Sequence, residues 1–324
     1  MLATTILRRE LHFLHTPTID VHALIEGWAL DQEFADSLRA NRIDPKFLYV
    51  TPRQTELWRQ VFLKHSPIHT NPEFARIYHD AFAQIAGELP PGKVALIGLG
   101  CGTGLKELDL YSHLKTGREV QFAAIDVSRD LAMESAQKLM AAGATHERSL
   151  VCDLAHGVYI ADWLDRSIGA SPRVITFFGL VPNLAPSLVI RLFQALLRPG
   201  DILLASAHLA PVGERTELSE AMQTVLPQYD NPETLVWLTA ALKEQGIKDQ
   251  VEPPEMKIGE MEGFPAFVAT ARWKSGGAPL QLFHSLRYTP ELFEKMLCDA
   301  GFELSRVAMT SCREEAIWAI RQRS

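Results

Sequence analysis

Cysteine is scarce in this chain, with four among 324 residues, at positions 101, 152, 298 and 312. None forms a CxxC pair, and none has a histidine at zinc-finger spacing, which excludes the common structural zinc motifs. All four are expected to be reduced thiols in a cytosolic protein. Long apolar runs are also missing. The longest, VALIGLGCGTG at 94–104 and DILLASAHLA at 201–210, fall well short of the roughly 18–20 residues that span a bilayer. Arg8, Arg9 and Glu10 interrupt the amino terminus where a signal peptide would continue its apolar stretch, so secretion is not expected. There is no excess of positive charge. A net charge of −7 argues against a large sequence-independent nucleic-acid surface and suits small or electrically mixed substrates. The sequence has no internal repeat and no low-complexity segment. His65, His69, His79 and His284 are scattered, and no metal site is expected from them.

What is present is apolar bulk. Hydrophobic residues make up 47% of the chain, enough for a large core. Residues 1–88 read as amphipathic helices, with a turn at 66–74 and a break at PPGK, 90–93. The pattern then changes. KVALIGLG at 93–100 is continuously apolar, as a parallel strand covered on both faces requires. Strands at 120–128, 148–154, 173–180 and 198–208 follow, with helices expected at 104–114, 129–143 and 186–197. This alternation implies right-handed crossovers and a doubly wound, Rossmann-like, mostly parallel α/β sheet. Residues 212–246 return to helix, strands are expected near 263–275, 279–289 and 305–322, and a helix at 290–302. The expected organisation is a helical part contributing to a substrate lid (1–88), a cofactor-binding core (89–210), an inserted lid region (211–278) and a return to the core sheet (279–324).

The strongest local signal is Gly98-Leu99-Gly100-Cys101-Gly102-Thr103-Gly104, between a strand and a helix. Such glycines allow a tight turn and a close approach of ligand to backbone, and the helix start offers unpaired N–H groups. A packing turn between strand and helix is the plainer alternative. Asp126 ends the next strand, 26 residues after Gly100, where a carboxylate can accept two ribose hydroxyls. It could instead cap the following helix, or lie beside Ser128 doing so. Asp153 closes the third strand, within reach of an adenine amino group. The set suits NAD or S-adenosylmethionine. G-x-G-x-G spacing and the second acid lean toward S-adenosylmethionine, and no paired acid and base for hydride chemistry is evident. Trp58, Trp237 and Trp273 read as core residues.

Lys93 to Asp126, VCDL at 151–154 and FFGLVPNLAPSLVIRLFQALLRPGDILLAS at 177–206 resemble class I S-adenosylmethionine-dependent methyltransferases, and more narrowly the histidine-specific family that methylates the α-amine of amino acids. DPKFLY at 44–49, QYDNPETLVWLTAAL at 228–242 and FHSLRYTPELFEKMLCDAGF at 283–302 extend the resemblance to roughly 44–320. It implies S-adenosylmethionine as cofactor and methyl transfer to the amine of an amino acid or similar small molecule. Alternatives are an oxygen, sulfur or carbon acceptor, or an inactive cofactor-binding accessory protein. By the same resemblance Gly98, Gly100, Gly102 and Thr103 would line the methionine and ribose, and Lys106 the cofactor carboxylate. Asp126, with Val127 beside it, would hold the ribose, Asp153 and Leu154 the adenine, and Phe178 and Gly179 would flank the sulfonium. Asn183 and Tyr229 would hold the substrate carboxylate, Tyr49 would sit near the amine, and Ser285 would close the far end of the pocket. Tyr49 and Asn183 form the expected catalytic pair. Phe283 stands where the family places an imidazole-reading glutamate, and Pro67 and Ile68 replace paired tyrosines ahead of Thr70 and Glu73. The loop after FFG is one residue shorter. Phe283 fits an apolar or aromatic side chain better than imidazole. No nucleic acid or membrane partner is expected.

Overall fold

Continuous apolar strands need cover on both faces, and the computed structural model shows how the chain supplies it. Residues 16–146, 148–169, 171–210 and 218–323 are described. The expectations for the charged amino terminus and for residues 211–217 of the insertion lie outside them.

A short strand, β1 (Ile19–Val21), precedes α1 (Gly27–Arg39), α2 (Pro52–His65), α3 (Pro67–Thr70) and α4 (Pro72–Glu88). The alternating core comprises β2 (Gly92–Leu99), α5 (Leu105–Leu114), β3 (Arg118–Asp126), α6 (Arg129–Ala141), β4 (Thr145–His146) and β5 (Ser149–Val151). It continues through α7 (Gly157–Ser167), β6 (Arg173–Phe178), α8 (Pro186–Leu196) and β7 (Ile202–His208). Next come α9 (Leu218–Val225), α10 (Pro232–Leu238), α11 (Ala240–Glu244), β8 (Glu255–Met261), β9 (Phe264–Ala271) and β10 (Leu280–Leu286). The chain closes with α12 (Pro290–Asp299), β11 (Phe302–Met309) and β12 (Glu315–Gln322).

The main sheet has the order β1-β5-β3-β2-β6-β7-β12-β11, with β4 paired to β3. From β1 to β7 all pairs are parallel, while β12 joins β7 and β11 antiparallel. This is the doubly wound, mostly parallel sheet expected from the sequence. Period-two alternation in β2 sends Ala95, Ile97 and Leu99 to one apolar cluster and Val94 and Leu96 to the other. α7, α8 and α12 cover the first face, and α4, α5 and α6 the second. Each fully buried large side chain, Phe82, Phe122 and Phe177 among them, contributes about 1.5–3 kcal/mol. A third cluster joins α1 and α2 to α9, α10, α11 and a separate antiparallel sheet, β10-β9-β8.

Several elements depart from the sequence reading. Helix α3 forms inside the expected turn at 66–74, seeded by Pro67 at its first position. β1 arises at the start of a stretch read as helix, because it finds an edge partner in β5. Helix α7 and strand β8 had no assignment. The expected strand at 279–289 forms as β10, but it pairs with β9 in the small sheet, so the return to the main sheet begins at β11. Residues 305–322 divide into the β11–β12 hairpin. Among the described residues, no helix is long and apolar enough to cross a membrane.

Gly104 is the hinge between β2 and α5. Its φ is +69°, and a Cβ there would stand 2.4 Å from Ser135 Oγ and 2.9 Å from the Ser135 backbone. Gly104→Ala is expected to lower stability by at least ~1–2 kcal/mol from the left-handed backbone alone, read by urea unfolding.

Candidate active site

The parallel strands end on one side of the sheet, and the crevice there lies where the strand order reverses at β2. A cavity of about 750 Å³ opens at these strand tips, within the size range of ligand pockets. Gly100, Gly102, Lys106, Asp126 and Val127 line it, as do Asp153, Leu154, Phe178 and Gly179. Two expected cofactor residues do not. A Cβ at Gly98 would sit 2.8 Å from Cys101 Cβ, so that glycine serves packing. Thr103 turns its carbonyl to Lys138 Nζ.

Asp126 is 5% exposed and ties the turn together. Its carboxylate accepts the Gly102 N–H at 3.1 Å and the Ser128 N–H at 2.9 Å. Ser128 Oγ caps α6 by accepting from Leu131 N, which settles the capping alternative in favour of Ser128. Burial pushes the Asp126 carboxyl up to about 6, against the pull of the N–H groups of Ser128, Gly102 and Val127. Further donors to this carboxylate would favour its charged form.

Asp153 lies just beyond β5. It accepts from Ala155 N at 2.9 Å, capping a short turn, and pairs with Lys46 Nζ at 2.7 Å. Lys46 also binds Glu33 of α1. Burial disfavours the Lys46 charge, but Asp44, Asp153 and Glu33 outweigh it and hold the ammonium protonated. The far end of the cavity is therefore roofed by a charge network rather than by Asp153 alone. Lys46 and Glu33 had no place in the sequence reading, since 107 residues separate Lys46 from Asp153.

On the floor, Lys106 Nζ reaches Tyr78 Oη at 2.8 Å and stands 4.1 Å from the Tyr78 ring and 5.4 Å from that of Phe178. Burial lowers its pKa, opposed by Glu315 and Glu107. Gly179 N donates to Ser206 Oγ at 3.0 Å, and Tyr78 Oη lies 2.7 Å from the same oxygen and binds Glu315. Two residues on along β7, on the same face, is His208, paired across the sheet with Glu315. His208 Nδ1 is 4.0 Å from Glu315 Oε2, and both residues line the cavity. Burial lowers His208 to about 4, more than Glu315 raises it, with Arg287 and Lys106 adding to the depression. The imidazole is neutral at pH 7.

The opposite wall is aromatic. Tyr49, Tyr229 and Phe283 line it, joined by Trp58 and Trp237, which the sequence reading placed in the core. Tyr49 packs edge-on against Trp58 and Trp237, with centroids at 6.0 and 5.6 Å. Trp237 contacts Phe283 at 6.0 Å, and Tyr229 stacks on Phe267 at 4.9 Å. Burial raises the Tyr49 hydroxyl's pKa, with Asp126 and Tyr229 adding to the shift, so it stays protonated. Asn183 reaches the cavity from the turn Val181–Asn183. Ser285 does not. It is 1% exposed, and its Oγ accepts from Arg287 at 3.0 Å.

Arg287, also absent from the sequence reading, is 1% exposed. Its guanidinium donates to Tyr229 Oη at 2.5 Å, lies 5.0 Å from the Tyr229 ring, and leaves Nε without a partner. Among the described residues no carboxylate pairs with it, so a positive charge is buried directly behind a cavity-lining hydroxyl.

Residues 30–235 match the family model described as histidine-specific methyltransferase, SAM-dependent. The chain belongs to this family. It is a SAM-dependent methyltransferase, and S-adenosylmethionine is its methyl donor. No curated protein sequence matches it. Among solved structures it is similar to a putative methyltransferase from Thermobifida fusca, at 13% identity over 85% of this chain and 90% of that one, with a TM-score of 0.48. A DUF574 family protein from Streptomyces avermitilis gives 14% identity, 84% and 91% coverage and a TM-score of 0.47. The Burkholderia thailandensis 1,6-didemethyltoxoflavin-N1-methyltransferase gives 14%, 90% of each chain and 0.42.

The donor set of the methyltransferase fits the cofactor. Asp126 would offer a carboxylate to ribose hydroxyls, the α5 amino end N–H groups, and Lys106 a cation. Bound there, the cofactor supplies an electrophilic methyl group. The ribose assignment of Asp126 generates two tests by calorimetry. Asp126→Ala is expected to raise the S-adenosylmethionine dissociation constant at least about tenfold. In the wild type, affinity should be flat above about pH 7. It should weaken toward roughly tenfold per pH unit below about 6, where Asp126 takes up its proton and becomes a poorer acceptor. Asp126→Asn should abolish that pH dependence.

Proposed function

We propose that the enzyme transfers a methyl group to the amine of an amino acid whose side chain is apolar or aromatic. The observation that carries this reading is Arg287. A buried guanidinium without a carboxylate is costly unless an anion approaches. Because Arg287 donates to the Tyr229 oxygen, the Tyr229 O–H is left to donate onward into the cavity. A substrate carboxylate held by Tyr229 and Asn183 would supply the missing negative charge. Phe283, Trp237 and Tyr49 then offer an aromatic slot to the side chain. Glu315 is one of the acids lining the cavity, but its partners are Tyr78 and His208, whereas Phe283 packs with Tyr229 and Trp237. It therefore does not replace the family glutamate beside Phe283.

Methyl transfer needs a lone pair in line with the breaking carbon–sulfur bond. Holding the acceptor in that pose is worth up to about 7–11 kcal/mol in favourable cases. The amine must arrive without its extra proton. Tyr49, held protonated, can orient the amine but cannot deprotonate it. The third apolar cluster, joining the amino-terminal helices to the insertion, would act as the lid that excludes water. One feature favours a second reading. Neutral His208 beside Glu315 has the layout of a base for a hydroxyl acceptor.

A panel of amino acids, their decarboxylated amines and phenols, assayed with radiolabelled cofactor, separates the readings. Aromatic and aliphatic amino acids should be methylated on nitrogen. Tyr229→Phe and Arg287→Met should each raise KM for the amino acid at least about tenfold, the worth of one charge-assisted hydrogen bond, with little change for the decarboxylated amine. Turnover of phenols alone, with loss in His208→Gln, would overturn the amine reading in favour of the second.

A further inference from the structure

Outside the cavity, on the far side of α4 and α5, three side chains converge from the two helices. Asp109 and His113 stand one turn apart on α5, so they share a face. His79 comes from α4, packed alongside. His79 Nδ1 is 3.2 Å from Asp109 Oδ1, His113 Nε2 is 3.3 Å from His79 Nδ1, and His113 Nε2 is 3.6 Å from Asp109 Oδ1.

We propose that His79, Asp109 and His113 form a binding site for a divalent transition-metal ion such as zinc. The distances carry this. In a tetrahedron with bonds of about 2.0–2.1 Å to nitrogen and oxygen, neighbouring donor atoms stand roughly 3.3–3.4 Å apart. The three observed edges straddle that value, so one position about 2 Å from each atom satisfies all of them at once. Two imidazoles and one carboxylate suit zinc, copper, nickel or cobalt rather than magnesium or calcium, which prefer all-oxygen shells. The site is reachable, since the side chains are 58%, 35% and 18% exposed for His79, Asp109 and His113. Three protein ligands leave a fourth position for water.

Both imidazoles must turn a lone pair inward. His79 then carries its proton on Nε2 and His113 on Nδ1, each facing away from the ion. With the carboxylate and two neutral imidazoles, the filled site carries a net charge of about one positive unit. An ion there cross-links α4 to α5, one residue from Tyr78 and within two turns of Lys106, whose mutual hydrogen bond forms part of the cavity floor. The site is independent of the acceptor chosen above.

Calorimetric titration of zinc chloride into untagged, chelator-treated full-length protein at pH 7.5 tests the proposal, with cobalt(II) visible absorption as a second readout. The expected result is saturable zinc binding, a rise in Tm with zinc, and the intense absorption of four-coordinate cobalt. His79→Gln and His113→Gln should each weaken zinc binding at least about tenfold and abolish the Tm rise, while metal-free Tm and circular dichroism stay at wild-type values. No saturable binding, or binding equally tight in both variants, would overturn it. A variant that failed to fold would be replaced by Asp109→Asn, with the same tenfold weakening expected.

Discussion

The buried carboxylate of Asp126 fastens the parts of the site to one another. It holds the glycine turn through Gly102 N and the start of α6 through Ser128 N. Ser128 Oγ lies 2.8 Å from Thr55 Oγ1, which donates to the Tyr49 carbonyl at 2.9 Å. A continuous path of buried and half-buried hydrogen bonds therefore runs from Asp126 to Tyr49 on the aromatic wall. Leaving one such group unpaired costs about 1–3 kcal/mol, so the cofactor turn and α2 hold each other in place. The same burial raises the Asp126 pKa despite the N–H groups of Ser128, Gly102 and Val127, so further donors from a ligand would favour its charged form.

The two walls of the cavity divide the chemistry. The floor, with Lys106, Glu315 and His208 backed by buried Tyr78, is polar and belongs to the main sheet and its covering helices. The opposite wall, with Tyr49, Trp58, Trp237 and Phe283, is aromatic and belongs to the third cluster. The methyl donor is shared by the family, and the residues that would hold it sit on the strand tips of the main sheet. Under the proposed function the acceptor would be met by elements added around them, with Phe283 in the wall and Arg287 buried behind Tyr229.

Much of the core was legible in the sequence because its signals are local. An unbroken apolar run, glycines at alternate positions and an acid at the next strand end all fall within some thirty residues, and β2, α5 and β3 form within a few residues of expectation. The capping ambiguity at Asp126 and Ser128 could not be resolved there, since both carboxylate and hydroxyl have the right spacing and only the backbone decides. Features that depend on distant partners stayed hidden. Lys46 meets Asp153 across 107 residues, and Arg287 meets Tyr229 across 58. β1 is three residues long and becomes a strand only because β5 offers an edge. β10 has the alternation of any strand, so its sequence cannot tell which sheet it joins. The tryptophans carried the opposite problem. Trp237 is 5% exposed, as a core residue should be, yet it also forms part of the cavity wall.

A crystal structure of the enzyme with S-adenosylhomocysteine bound tests the central claim most directly. The account predicts both ribose hydroxyls within hydrogen-bond distance of the Asp126 carboxylate, and the sulfur facing the aromatic wall between Phe178 and Tyr49. A nucleoside seated elsewhere, or one whose ribose makes no contact with Asp126, would contradict it.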